Sequence, residues 1–132
     1  MRSLDTNVLV RYLAADDPKQ LAAAEKLIEG SGAEREPLFL TVLLLCELVW
    51  VLSRSYGYPK DEIVNVLERV LSTDQFKVER EEIARRSLDL FRKGKGSFSD
   101  YVIGEISMQA GCRDVVTFDK DLRGARGFTL LA

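Results

Sequence analysis

The sequence predicts an α/β fold: a single α/β/α sandwich on a mainly parallel sheet of about five strands. Two observations carry this. Short apolar or alternating runs bounded by Gly, Pro and Asp take turns with longer runs of helical periodicity. No linker, repeat or low-complexity stretch interrupts the 132 residues, so 1–132 reads as one domain. Hydrophobic residues at 46% and mixed-sign charges at 30% suit a chain that buries one sizeable core, not a disordered one.

The elements follow in order. Met1 to Asp5 is a short apolar run that opens the sheet, and a helix is expected over Asn7 to Leu13. Asp17 as N-cap, Pro18 at the first helical position and Gly30 past the end bound a second helix, with Leu21, Ala24, Leu27 and Ile28 on one face. Leu38 to Leu40 reads as a buried strand. Thr41 then caps a helix to about Tyr56, stopped by Gly57. Pro59 starts another, with Asp61 and Glu62 in its first turn and Ile63, Val66, Leu67 and Val70 as its stripe. Phe76 to Glu79 alternates as a partly exposed strand. Ile83, Ser87, Leu88 and Phe91 mark a helix ending at Gly94. The last helix spans Phe98 to Ala110 with Gly111 behind it, and Val115–Phe118 and Phe128–Leu131 are the closing strands.

Several chemistries are excluded. The chain has no His, which removes His-based triads and HExxH sites. Neither GxxxxGK[ST] nor GxGxxG occurs. Cys46 and Cys112 sit among apolar neighbours and read as buried thiols of a reducing compartment, without zinc spacing. The longest apolar stretch, Leu38 to Leu52, would reach only about 22 Å as a helix, short of a roughly 30 Å hydrocarbon core. With no secretory pattern at the start, a cytoplasmic protein without membrane contact is expected. Any catalysis must fall to carboxylates.

Four acids stand out, each with a plainer explanation beside it. Asp5 ends the first strand, where ligands of parallel sheets bind, yet Asp there is also a common N-cap. Glu47 is the one charge between Leu38 and Leu52, so it reads as a buried carboxylate held by a cation: a metal ion or an Arg or Lys. Asp100, in Ser97-Phe-Ser-Asp100, opens a helix in what resembles a capping box. Asp119 follows the fourth strand beside Thr117 and Asp121, and also suits a turn cap. If the first and fourth strands are neighbours, Asp5 and Asp119 meet. Carboxylates sharing a small site must raise a pKa or bind a cation, and an all-oxygen set selects Mg²⁺ or Mn²⁺.

The segments Leu4–Val10, Leu45–Leu52, Phe98–Ile103 and Val116–Asp121 together resemble the PIN-domain ribonucleases, most of all the VapC-like toxins of toxin–antitoxin pairs. The resemblance spans essentially the whole chain. It implies a Mg²⁺- or Mn²⁺-dependent endoribonuclease in which Asp5, Glu47, Asp100 and Asp119 are the catalytic and metal-binding acids. Asn7 would brace the site, Thr117 would be a polar neighbour of Asp119, and Asp121 an additional acid. It further implies an RNA substrate, a homodimer, and a small antitoxin in the groove of the first four helices, near Tyr12, Leu13, Trp50, Tyr56 and Tyr58. Many relatives read Ala-Asp-Ala where this chain has Ser99-Asp100-Tyr101, so Tyr101 would narrow the substrate path.

A net charge of −2 is awkward for a nucleic-acid enzyme. Local charge answers in part: Arg92, Lys93 and Lys95 precede Asp100, and Lys120, Arg123 and Arg126 follow Asp119, although each also reads as an ordinary solvated side chain. Three other readings stay open. A receiver-type switch lacks a second acid beside Asp5, a D-x-D phosphatase lacks the acid at Asn7, and a catalytically silent PIN-like binding module would keep the fold alone.

Overall fold

The computed structural model describes residues 1–32 and 35–132. The elements are β1 (Arg2–Ser3), α1 (Thr6–Ala14), α2 (Pro18–Glu29), β2 (Leu38–Leu40), α3 (Val42–Arg54), α4 (Lys60–Leu71), β3 (Phe76–Val78), α5 (Glu81–Lys93), α6 (Phe98–Gln109), β4 (Val115–Thr117) and β5 (Phe128–Leu130), with a 3₁₀ turn at Lys120–Leu122. The α/β class holds, and every strand pairing is parallel. The hydrogen bonding corrects one expectation. The strands form a three-stranded ladder, β1-β2-β3, and a separate two-stranded ladder, β4-β5, so the first and fourth strands are not paired. With only two residues in β1 and three in β4, both ladders are short.

By its internal contacts the chain divides into two compact units, Met1–Glu81 and Glu82–Ala132. In the first, β1 pairs with β2 and β2 with β3, the Leu4 amide extending the first pairing to the Phe39 carbonyl at 3.1 Å. Helix α1 packs on α2 and α3, and α3 on α4. Asp17 caps α2 as expected, its Oδ1 accepting from the Lys19 and Gln20 amides. Leu9, Leu40, Leu45, Leu48 and Leu52 are completely buried and form the centre of this core. Burying a leucine fully gains roughly 1.5–3 kcal/mol, so this cluster dominates the unit's stability.

The α3 helix is not buried on every side, as the reading of Glu47 as a buried carboxylate implied. Leu44, Leu45, Leu48 and Leu52 face inward, while Leu43, Glu47, Trp50 and Arg54 recur at i, i+4, i+7 and i+11 and are exposed. Its start is held twice: Thr41 Oγ1 accepts from the Leu44 amide, and Glu79 Oε1, from just past β3, accepts from the Val42 amide at 3.0 Å.

In the second unit, Phe91 of α5 meets Phe98 of α6 edge-on, and Tyr101 meets Phe128 of β5 the same way. The Tyr101 hydroxyl accepts from the Gly96 amide at 3.0 Å and pins the loop before α6. A Cβ at Gly94 or Gly96 would collide with Tyr101 or Leu122, so that loop needs glycine. Ser87 is completely buried on α5, and its hydroxyl has no hydrogen-bond partner among the described residues. No helix among the described residues is long and apolar enough to cross a membrane.

Candidate active site

Asp5 is the N-cap of α1 in extended conformation, its Oδ1 accepting from the Thr6 amide at 2.8 Å. Thr6 itself is buried, and its hydroxyl donates to Glu47 Oε1 at 3.0 Å. Thr6 therefore touches both acids of the first unit. Asn7, expected to brace them, is exposed and lies instead on a cavity between α1 and α2 with Arg11 and Gln20. Glu47 is not the buried carboxylate the sequence suggested. It is exposed because the α3 stripe that carries it points away from the leucine face, and it has no salt bridge to Arg or Lys. The ion-pair explanation for Glu47 is thereby excluded among the described residues.

In the second unit, Asp100 completes the capping box of α6. Its Oδ2 accepts from the Ser97 amide at 2.9 Å, and its own amide donates to Ser97 Oγ at 3.2 Å. Asp119 caps the 3₁₀ turn through Oδ1, which accepts from the Asp121 amide at 2.9 Å. Thr117 Oγ1 accepts from the Asp119 amide at 3.0 Å, so the threonine positions the backbone of this acid. The four acids share a pattern. One oxygen of each accepts a hydrogen bond that fixes the carboxylate, and among the described residues no salt bridge to Lys or Arg neutralises any of them.

That donor chemistry is hard oxygen without nitrogen or sulfur, the set that suits Mg²⁺ or Mn²⁺. The gathering itself is incomplete: among the described residues no three Asp, Glu, His or Cys side chains come together closely enough to hold a metal ion. Asp5 with Glu47 and Asp100 with Asp119 belong to different units.

The expected basic clusters divide in a similar way. Lys95, Lys120 and Arg123 line one cavity of about 660 Å³, with Asp121 and Tyr101 in its wall. Asp121 thus sits among cations. Arg92 and Lys93 instead pair with Asp89, at 3.3 and 3.1 Å. Tyr101 is buried and structural, and it also walls that cavity.

Both cysteines differ from expectation. Cys112 is exposed, in the turn after α6, and Cys46 is half-buried. Burial pushes the Cys46 thiol up to about 11. Three contributors escaped the sequence: Thr6 as the link between Asp5 and Glu47, Glu79 as a second cap of α3, and Tyr101 as the anchor of the loop before α6. Glu79 stands in no distinctive motif; Thr6, lodged between Asp5 and Asn7, lay within reach of a sequence signal, and Tyr101 stood out in the sequence for a different role, narrowing the substrate path.

Comparison with known proteins agrees with this architecture. The chain is 29% identical over 120 residues to the VapC ribonuclease of Aquifex aeolicus (strain VF5), covering 91% of this chain and 88% of that protein. The family model of the PIN domain matches residues 3–127, a stretch that runs through both units and takes in all four acids. On that match, the chain belongs to the PIN-domain family.

Proposed function

We propose that this protein is a divalent-metal-dependent endoribonuclease and the toxin of a toxin–antitoxin pair. Asp5, Glu47, Asp100 and Asp119 would hold the ion, with residues 1–132 working as one nuclease domain. The observation that carries the reading is the set of four fixed carboxylates without cationic partners. Carboxylates held in place at no apparent gain in ion pairing are suited to meet a cation from outside. The likeness to a VapC ribonuclease over most of both chains supports RNA as substrate and a small antitoxin as partner.

A bound Mg²⁺ or Mn²⁺ supplies Lewis acidity toward the attacking water and the phosphoryl oxygen. The chain's own residues do the rest. Thr6 keeps Glu47 turned toward the Asp5 end of α1, and Thr117 and the Asp121 amide hold Asp119 in its turn. With no His in the chain, a carboxylate must take the proton of the water. Lys95, Lys120 and Arg123 would receive the backbone phosphates. In-line attack by water leaves 5′-phosphate and 3′-hydroxyl ends. The exposed Leu43 and Trp50 of α3, with the half-buried Tyr12, Tyr56 and Tyr58, would meet the antitoxin or a second copy of the chain.

A thermal titration tests the site. Mg²⁺ or Mn²⁺ should raise the Tm, and Asp5→Asn and Asp119→Asn should each abolish the gain. If only one of the two variants matters, the quartet is wrong. Cleavage that survives EDTA, or products with cyclic phosphate ends, would refute the metal mechanism. Because Asp5, Asp100 and Asp119 all cap helices or turns, a silent PIN-like binding module is the second reading. That module would show no metal-dependent cleavage of any RNA.

A further inference from the structure

The second unit holds another cavity, of about 610 Å³, formed by α5, α6 and the approach to β5. Its apolar lining includes Tyr101, Gly104, Met108 and Phe128, and its rim carries the exposed Arg86, Lys93 and Arg126. None of the four acids lines it. We propose that this cavity is a nucleobase pocket, taking one unstacked base of a single-stranded RNA whose backbone runs through the neighbouring cavity of Lys95, Lys120 and Arg123. The proposal rests on the ribonuclease reading and deepens it by naming where base preference arises.

Continuity is the first argument. The two cavities share Gly94, Tyr101 and Ala125, so a strand held by the cations of one lies at the mouth of the other. Shape is the second. Proteins that read RNA sequence draw bases out of the stack and lay them on aromatic rings and guanidinium planes. Here the Tyr101 and Phe128 rings of the lining meet edge-to-face at 6.5 Å, and Arg126 of the same lining is exposed without an ion pair among the described residues. Gly104 lets the Phe128 ring pack close against α6: a Cβ there would lie 3.0 Å from that ring.

Charge is the third argument. The rim has three cations, and Glu105 is the one acid of the lining. Arg86 leans on Glu105 at 3.5 Å and Lys93 on Asp89 at 3.1 Å, which leaves Arg126 for the ligand. Gln109, also in the lining, offers both a donor and an acceptor to a base edge. An acidic peptide would answer the same rim. The junction with the cavity beside the Asp119-capped turn favours the substrate instead.

The test is binding of labelled, mixed-sequence single-stranded RNA to the full chain, read by fluorescence anisotropy in EDTA so that no metal-dependent cleavage intervenes. A parallel series carries one abasic nucleotide at each position. For the wild type, one abasic position should weaken binding about tenfold. Met108→Trp, which fills the cavity from a part-exposed position, should weaken intact RNA by a similar factor and lose all further sensitivity to that abasic site. Ile103→Trp, an exposed α6 position lining neither cavity, should behave as wild type, and Gln109→Trp serves if circular dichroism shows Met108→Trp unfolded. Equal abasic penalties in wild type and filled variant, or no sensitive position, overturn the pocket. So does a filled variant that binds RNA normally but loses the protein encoded by the adjacent gene. If the abasic pattern appears and no RNA is cleaved with Mg²⁺ or Mn²⁺, the ribonuclease reading fails and the pocket stands.

Discussion

The Thr6 hydroxyl donates to Glu47 Oε1 at 3.0 Å across 41 positions of sequence, while the Thr6 amide donates to Asp5 Oδ1 at 2.8 Å. One buried threonine therefore sets the orientation of two acids on different helices. The backbone donor is fixed by the start of α1, and the hydroxyl is fixed by burial beside α3. Glu47 itself is exposed, so the bond lies at the edge of solvent and its contribution to stability is modest.

Thr6→Val should accordingly cost about 1 kcal/mol in urea unfolding, within the range of a single hydrogen bond. Its effect on metal-dependent cleavage should be larger in proportion, because Glu47 is then free to turn. Thr6→Ser, which keeps the hydroxyl, should restore most of the activity. Loss of activity in Thr6→Ser equal to that in Thr6→Val would show that the methyl packing matters and the hydrogen bond does not.

Ser87 offers a prediction of opposite sign. Its hydroxyl is buried on α5 without a partner, a state that costs about 1–3 kcal/mol in general. Ser87→Ala removes the unsatisfied group and adds helix propensity, so it should raise stability by about 1 kcal/mol. Differential scanning calorimetry would read it as a higher Tm, and a lower Tm would mean the hydroxyl is satisfied in solution.

A network beside α1 makes stability pH-dependent. The Tyr56 hydroxyl donates to Asp16 Oδ2 at 2.7 Å and accepts from Arg11 at 3.1 Å. The bond from Tyr56, with Arg11 adding to it, holds the Asp16 carboxyl below its ordinary value, and the same bond holds Tyr56 above its own. A depressed acid contributes above its unfolded pKa and loses that contribution as pH falls through the folded one. A raised phenol contributes below its unfolded pKa and loses it as pH rises through the folded one. The wild type should therefore exceed Tyr56→Phe in stability across neutral pH, with the margin shrinking below about pH 4 and above about pH 10. Chemical denaturation at pH 3, 7 and 11 checks this; a margin that is the same at all three would disprove the coupling.

The cysteines should differ in reactivity. Burial raises the Cys46 thiol to about 11, so its thiolate is scarce at pH 8 and its access is partial. Cys112 is exposed. Iodoacetamide under native conditions should modify Cys112 well before Cys46, as read by peptide mass mapping. Simultaneous modification would show that α3 opens on the labelling timescale.

How much of this was legible depended on whether the deciding physics was local. Asp17-Pro18 and Ser97 with Asp100 announce their helices because capping is a contact between near neighbours in sequence, and the structure forms both caps. Glu47 was misjudged for the opposite reason. Leu43 and Trp50 flank it on the exposed stripe, and an apolar residue left in solvent looks identical in sequence to one in the core. That β1 pairs with β2 and not with β4 was likewise beyond the sequence, since strands of two or three residues carry too few side chains to specify a neighbour. The four acids were found as residue types at strand and helix ends. Their anchors, Thr6 and Thr117, became visible only through hydrogen bonds.

Asp100 serves as both a cap and a proposed metal ligand, and two substitutions separate the roles. Ser97→Ala deletes the hydroxyl that accepts from the Asp100 amide, so it should cost about 1 kcal/mol of stability. Asp100 keeps its carboxylate and its bond from the Ser97 amide, so the Tm gain from Mg²⁺ or Mn²⁺ should largely survive. Asp100→Asn should do the reverse. The amide oxygen can still accept from the Ser97 amide, leaving only the loss of favourable charge at the helix start, about 0.3–1 kcal/mol. The metal-dependent gain and RNA cleavage should vanish together, because a neutral amide is a poor ligand for a hard divalent ion. A crossed outcome of this kind assigns the cap to Ser97 and the chemistry to Asp100. If Asp100→Asn keeps the metal response while Ser97→Ala abolishes it, the carboxylate is there to start α6 and the metal centre lies elsewhere.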